Sequence, residues 1–382
     1  MSATLRTGAA HYPVSRDAEA DHAGPEMPRV TLQTVADAVG VSRMTVSNAF
    51  SRPDQLSAAL RERVLATAAD LGYAGPDPTA RALARRSTGA VGVVLTDSLG
   101  DAFRDPAAAA FFGALAEELA PTGLAVSLIP AASVGGHLPA RDLPVDAAVV
   151  YACAGETEAV GWLERRRLPL VFVDQAPRPG STGVLLDDAA GGRLAVEHLL
   201  SLGHRDVVVL TMDSSRHEPG WRTSPLDANP NHVARERTRG AVETLTAAGL
   251  PTRVLEVRNN LAHEASTGAE ILLADARRPT AVVCFSDLVA ATLVRHATAA
   301  GLRVPQDLSV VGFDDSVLAT SVEPQLTTLR QDFVAKGRLA AAALRDALAR
   351  SRGEDERAAP APATAVVPVE LVVRGSTGPA PA

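Results

Sequence analysis

Hydrophobic and polar positions recur along this chain on two periods, and the change between them falls near Ser87. From Val30, the run VTLQTVADAVGVSRMTVSNAF puts Leu32, Val35, Ala36 and Val39 on one helical face, with Thr31 as N-cap. Gly40 can take the positive φ that ends this helix. Val41 is expected as a buried turn residue, and Ser42 caps a second helix that turns Val46, Ala49 and Phe50 inward. A third helix opening at Ser57 repeats Leu60, Val64, Ala68 and Leu71 at helical spacing, which predicts a small all-α helix-turn-helix domain. Beyond Ser87, strand-like apolar runs begin: AVGVVL at Ala90, LAVSLI at Leu124, VDAAVVY at Val145, PLVFVD at Pro169, then DVVVLT, TRVLEV, TAVVCF and LSVVGF. Between them lie helical stretches at Ala107 to Leu119, Gly191 to Leu202, His232 to Ala248, Ala265 to Ala274 and Leu288 to Ala300. Strands alternating with helices predict an α/β fold with parallel sheets, and eight strands suit two lobes, each a doubly wound sheet.

In such sheets ligands bind beyond the carboxyl ends of the strands. The polar residues there are Thr96, Asp97, Asp174, Thr211, Asp213, Ser286, Asp287, Asp314 and Asp315, each of which could equally cap the helix that follows. In the helical domain, the second helix leaves Arg43, Met44, Thr45, Ser47 and Asn48 outside. An Arg can pair with guanine O6 and N7, an Asn can read adenine, and a Met offers apolar contact to a thymine methyl.

Composition narrows the class. With 382 residues, 46% of them hydrophobic, the chain can bury a sizeable core. The net charge of -7 argues against a protein that coats nucleic acid, yet residues 28–89 hold eight Arg against five acids, a local +3. Cys153 and Cys284 sit in separate apolar runs and read as buried free thiols. Residues 1–28 lack the apolar core of a signal peptide and read as a disordered tail; residues 351–364 read as a Pro-rich loop. No run nears the roughly 18 apolar residues of a membrane span, so a cytoplasmic protein without membrane contact is expected. Nucleophile-elbow, zinc-protease and P-loop motifs are absent, so neither an enzyme nor a metal or cofactor site is expected. His204, in GHRD, is expected to order a turn.

The helical run, with GYAGPDPTARALARRSTGAVGVV after it, strongly resembles the lactose and galactose repressor family. VEHLLSLGHRDVVVL, ERTRGAVETL, AVVCFSDLVAATLVRHATAAGLRVPQDLSVVGFDDS, PQLTTLRQDF and VELVVRGST extend the resemblance to Thr377. It implies a helix-turn-helix domain at 29–75, a hinge helix and linker at 76–89, and a two-lobed, periplasmic-binding-protein-like sensor at 90–382. The N-lobe would take about 90–187 and 320–350, and the C-lobe about 188–319 and 365–377, with crossovers near Asp187, near Thr320 and before the last strand.

Operator contacts are implied for Thr31, Ser42, Arg43, Met44, Thr45, Ser47, Asn48, Gln55, Tyr73 and Ala80, with Leu83 as a minor-groove wedge. Asp77 stands where the family often has asparagine, which puts a phosphate contact there in doubt. Effector contacts are implied for Phe103, Asp105, Asp174, Arg237 and Asp287, with Phe103 or Trp221 covering an apolar sugar face. The segment from Asp213 to Asn231 would be a surface loop or a cleft-edge cover. The implied function is a homodimeric regulator on near-palindromic operator DNA, a repressor of carbohydrate-utilisation genes with a sugar effector; the alternatives are a non-sugar ligand or a sensor that has lost its ligand.

Overall fold

The computed structural model describes residues 30–95, 99–133, 135–152, 157–176, 178, 181–213, 218–222, 229–353 and 364–381. The expected tail at 1–28, Thr96, Asp97, Cys153 and the loop residues 354–363 lie outside them. Contacts divide the chain into one unit ending at Ala84 and another starting at Arg85.

The first unit holds α1 (Leu32–Val39), α2 (Arg43–Ser51), α3 (Ala58–Asp70) and α4 (Pro78–Arg85). Thr31 and Thr34 cap α1 reciprocally, each hydroxyl accepting from the other's backbone N–H at 3.3 Å. Gly40 ends α1 at φ 75°, a backbone that costs glycine nothing, and donates to the Ala36 carbonyl at 2.9 Å. Ser42 and Ser57 cap α2 and α3. Val35, Ala36, Val46, Ala49, Val64 and Ala68 form the core, rimmed by Leu32, Phe50, Leu60 and Tyr73. Val41 is half-buried and Leu71 exposed, because so small a unit has little interior. Asp77 caps α4: its Oδ1 accepts from the N–H of Thr79 at 2.8 Å and of Ala80 at 3.0 Å, which gives this acid a structural reason.

The second unit begins with β1 (Ala90–Leu95), α5 (Leu99–Arg104), α6 (Pro106–Leu119), β2 (Ala125–Pro130), α7 (Pro139–Asp142), β3 (Ala147–Tyr151), α8 (Glu158–Arg165), β4 (Leu170–Val173) and β5 (Thr182–Leu186). It continues through α9 (Asp188–Ser201), β6 (Val207–Met212), β7 (Gly220–Arg222), α10 (His232–Ala247), β8 (Arg253–Val257), α11 (Ala262–Ala274), β9 (Ala281–Cys284), α12 (Asp287–Ala299), β10 (Ser309–Asp314) and α13 (Val317–Ser321). It ends with β11 (Thr327–Gln331), α14 (Phe333–Arg352), β12 (Ala365–Val367) and β13 (Val369–Val372).

The strands build two sheets, β12-β5-β4-β3-β1-β2 and β13-β11-β10-β9-β6-β8-β7. The first is parallel throughout. The second is parallel apart from its edge strands β7 and β13. The eight expected strands are all present; β5, β7, β11, β12 and β13 are additions.

The chain passes between the sheets at Asp187, at Asp332 and at Pro368. The second passage therefore falls beyond the position expected near Thr320, which sits in α13 instead. Residues 327–331 belong to the second sheet and 365–367 to the first, the reverse of the expected lobe assignment. TTLRQ hides its strand behind two threonines, whose buried hydroxyls find partners in Arg374 O and Asp287 Oδ1. Where α9 crosses α10, a Cβ on Gly192 would meet the Arg237 carbonyl and one on Gly240 the Ala189 carbonyl, so only glycines permit this approach. It holds the first turn of α9, carrying Asp188, against the middle of α10, carrying Arg237. His204 is buried between Thr280 Oγ1 at 2.9 Å, Ser309 Oγ at 3.1 Å and Gly378 O at 3.1 Å, a turn-ordering role. Cys284 is a buried free thiol, pushed up by burial.

Candidate functional site

On α2 the side-chain environment follows from the helix period. Val46 and Ala49 are consumed by the core, which leaves Arg43 and Met44 exposed and Thr45, Ser47 and Asn48 half-buried. The Asn48 amide donates to Gln55 Oε1 at 3.1 Å, so these two expected operator contacts share one surface. Thr45 is tied to its cap, its hydroxyl 2.9 Å from Ser42 Oγ. Tyr73 packs edge-on against Phe50 at 5.7 Å, and burial raises its hydroxyl pKa. Thr31 and Ala80 are exposed, and Leu83 is 82% exposed on α4, a large apolar side chain with no use in this unit's core.

In the second unit a cavity of about 130 Å3 lies between the carboxyl ends of the two sheets. Of the five expected effector contacts, Asp105, Asp174 and Arg237 line it. Phe103 does not: it is 55% exposed and leans edge-on against Phe112 at 6.2 Å. Asp287 does not either, because its carboxylate is spent inside the lobe, accepting from Ser316 N at 2.7 Å and Thr328 Oγ1 at 2.6 Å. Trp221 stands on edge strand β7 beneath the Arg253 guanidinium. Of the segment 213–231, residues 214–217 and 223–228 lie outside the described residues, while 220–222 form β7.

Arg237 organises the cavity floor. Its Nε donates to Asp188 Oδ1 at 2.8 Å and its Nη1 to the Phe285 carbonyl at 2.7 Å, with Asp314 Oδ1 at 3.4 Å. The guanidinium lies over the Phe313 ring at 3.5 Å. Burial pushes the Asp188 carboxyl up to about 6 and Asp314 well above its ordinary range, and in both cases Arg237 opposes the rise. Gln331 bridges onward, donating to Asp314 Oδ1 at 2.6 Å and accepting from Lys336 Nζ at 2.5 Å; Lys336 also donates to Asp174 Oδ2 at 2.8 Å. The network thus joins the first passage (Asp188), the second (Gln331, Lys336) and the cavity wall.

Ala152, Asp174 and Asp314, at the ends of β3, β4 and β10, hold φ of 45°, 56° and 113°. Such backbone is costly for residues other than glycine, and three of the six described non-glycine residues with positive φ gather at this cavity. Tyr151 supplies an aromatic wall, its ring stacked on Phe111 at 4.8 Å. Burial, with Asp174 and Asp105 nearby, raises its hydroxyl, which stays protonated and able to donate.

The expectations missed Tyr151, Asn231, Asn259, Asn260, Phe285 and Gln331, all of which line the cavity. Asn259 and Asn260 follow the run TRVLEV after a single residue, Arg258, so the strand-end rule would have found them; Gln331 was hidden with its strand. Among the described residues, no group of His, Cys, Asp and Glu is arranged to hold a metal, and no helix is long and apolar enough to cross a membrane.

Residues 31–75 match the family described as bacterial regulatory proteins, lacI family, and 196–377 match a periplasmic binding protein-like domain. An HTH-type transcriptional regulator of Mycolicibacterium smegmatis is 38% identical over 335 residues, 83% of this chain and 90% of the relative. The chain belongs to the lacI family. It is a DNA-binding transcriptional regulator of that family. Its fold matches the crystal structure of the lac repressor dimer bound to operator and an anti-inducer, with TM-score 0.71, 26% identity and coverage of 91% of this chain and 99% of that one. It also matches the complex of the regulator CelR with cellobiose, with TM-score 0.62, 27% identity and coverage of 91% and 100%.

Proposed function

We propose that this lacI-family regulator acts in the cytoplasm as a homodimer on a near-palindromic operator, repressing carbohydrate-utilisation genes, and that a sugar in the cavity changes its operator affinity. The observation that carries the reading is the coexistence of a polar face on α2, outside the core, with a cavity whose wall is built from Asp105, Asp174, Arg237 and amides. Arg43 and Asn48 read bases in the major groove, with Met44 on a thymine methyl. Thr31, Ser42, Thr45, Ser47, Gln55, Tyr73 and Ala80 position the protein on the backbone, and Leu83 wedges a base step. Support comes from the lac repressor, solved on operator as a dimer, and from CelR, solved with cellobiose. Ligand and operator affinities are then linked reciprocally.

The test is binding of the full chain to genomic fragments at fixed salt, with and without a sugar panel, against Leu83→Ala. One tightly bound near-palindrome, shifted by a sugar and weakened by the substitution, is expected; uniform, sugar-blind, salt-sensitive binding would remove the reading. The commitment of Arg237 and Asp287 to internal partners favours a second reading, in which the cleft only packs the lobes. Tight operator binding blind to every small molecule would establish that one.

A further inference from the structure

Resting on the dimeric operator reading above, we infer that Asp146 is a positioning residue for operator binding: it clamps residues 87–89, near the start of the second unit, and so sets which half-site spacing the regulator accepts. Asp146 stands just before β3, yet its carboxylate serves a segment 57 to 59 positions earlier. Oδ2 accepts from the Ser87 hydroxyl at 2.6 Å and the Gly89 N–H at 3.1 Å. Oδ1 accepts from the Thr88 N–H at 2.7 Å and the Thr88 hydroxyl at 2.8 Å. Arg352, in the last turn of α14, closes the clamp, donating from Nη2 to Ser87 Oγ at 2.9 Å and to Asp146 Oδ2 at 3.2 Å. Burial raises the Asp146 carboxyl, but the donations from Ser87, Thr88 and Gly89 outweigh it, so the group ends below its ordinary range and stays ionised at neutral pH.

The clamp orders a segment that packing does not. Arg86 and Thr88 are exposed, Ser87 and Gly89 half-buried, and no large apolar side chain lies between Arg85 and Ala90. Downstream, the Gly89 carbonyl accepts from Ala125 N at 2.9 Å and the sheet begins. Upstream, Arg86 alone, at φ 51°, separates the clamped residues from the end of α4. With Ser87 held, the tether from Arg85 spans two residues, roughly 7 Å at full extension. Were Ala90 in β1 the first fixed point it would span five, roughly 18 Å. One base pair inserted between half-sites moves them about 3.4 Å apart and turns them about 35° around the duplex. The clamp therefore removes more than half of the slack with which each DNA-binding unit could follow that displacement. A tether lengthened this much also dilutes one unit about the other, on the order of fourfold. Helix α14 ties the clamp to the cavity as well: Lys336, the chain's only lysine, sits in its first turn against Asp174 and Gln331, about 24 Å along the helix from Arg352.

Binding of the full chain at fixed salt to its near-palindrome, intact or with one or two base pairs inserted between the half-sites, tests this. For the wild type, one inserted pair is expected to weaken binding at least about a hundredfold. Asp146→Ala is expected to bind the intact site about fourfold more weakly, yet to lose less than about tenfold on insertion. Because that variant leaves Arg352 without its carboxylate, the double variant Ser87→Ala, Thr88→Ala, which clears two hydroxyl donors and keeps Asp146 beside Arg352, accompanies it. The double variant is expected to unfold cooperatively like wild type and to shrink the insertion penalty at least about threefold, while Asp146→Asn, which keeps one acceptor, falls between Asp146→Ala and wild type. The wild-type penalty retained in every clamp variant that folds overturns the role of Asp146. So does loss of all operator binding from a folded double variant, since slack leaves each DNA contact intact. A wild type that needs both half-sites yet tolerates insertion overturns the clamp and leaves the dimeric reading standing. Wild-type affinity that depends on one half-site alone overturns the dimeric reading itself and this inference with it.

Discussion

Met44 and Leu83 stand 69% and 82% exposed on the helices of the first unit, whereas Arg237 and Asp174 in the second are 8% and 6% exposed. The first unit keeps its interior for Val35, Val46, Val64 and three alanines, and leaves Arg43, Met44 and Leu83 exposed. The second unit builds its cavity from side chains that also belong to the folded interior, where Arg237 pairs with Asp188 and Asp314, and Lys336 with Asp174. Folding and recognition are therefore separable in the first unit and entangled in the second: a change at Arg43 should alter binding alone, while a change at Arg237 should alter both.

The largest effect expected is at that entanglement. Arg237→Met strands Asp188 and Asp314, so denaturant unfolding of the second unit at pH 8 should lose about 3–5 kcal/mol. The loss should shrink at pH 5, where Asp188, raised to about 6, carries a proton; a pH-independent loss would show that packing on Phe313, not charge, is what Arg237 supplies. Next comes Asp287, whose carboxyl is raised by burial from 3.8 to about 6. A raised acid holds its proton more tightly folded than unfolded, so its contribution is fully present below about pH 4 and lost as pH rises through about 6, on the order of 2–3 kcal/mol. Asp287→Asn should flatten the fall in stability between those pH values, and an unchanged slope would assign the fall to other groups.

In the first unit, Val46→Ala should cost about 2 kcal/mol in that unit's own transition and leave the second untouched. Coupled loss in both transitions would break the separation drawn here. Smallest is Arg43→Ala, expected to weaken operator binding by about 1–3 kcal/mol and to relax base choice at one position, with melting temperature unmoved.

Legibility in the sequence follows the same division. The first unit's caps at Thr31, Ser42 and Ser57, its turn at Gly40 and its inward residues were readable, because helix period and capping act over three or four residues. The eight apolar strands were readable for the same local reason, and the strand-end rule pointed to Asp174 and Asp314. TTLRQ was not, since its burial depends on hydroxyl partners far away in sequence. Lys336 carried no signal at all beyond being solitary.

By itself, then, the sequence determined the three-helix unit, the α/β class of the rest and which strand ends could carry polar chemistry, all consequences of periodicity along one segment. Only the tertiary structure decided that Asp287 turns inward to Ser316 and Thr328, that Phe103 stays outside, and that Lys336 and Asp174, 162 positions apart, meet at one cavity. Those outcomes depend on which side chains distant in sequence come within reach of one another when the second unit folds, and no local pattern encodes those distances.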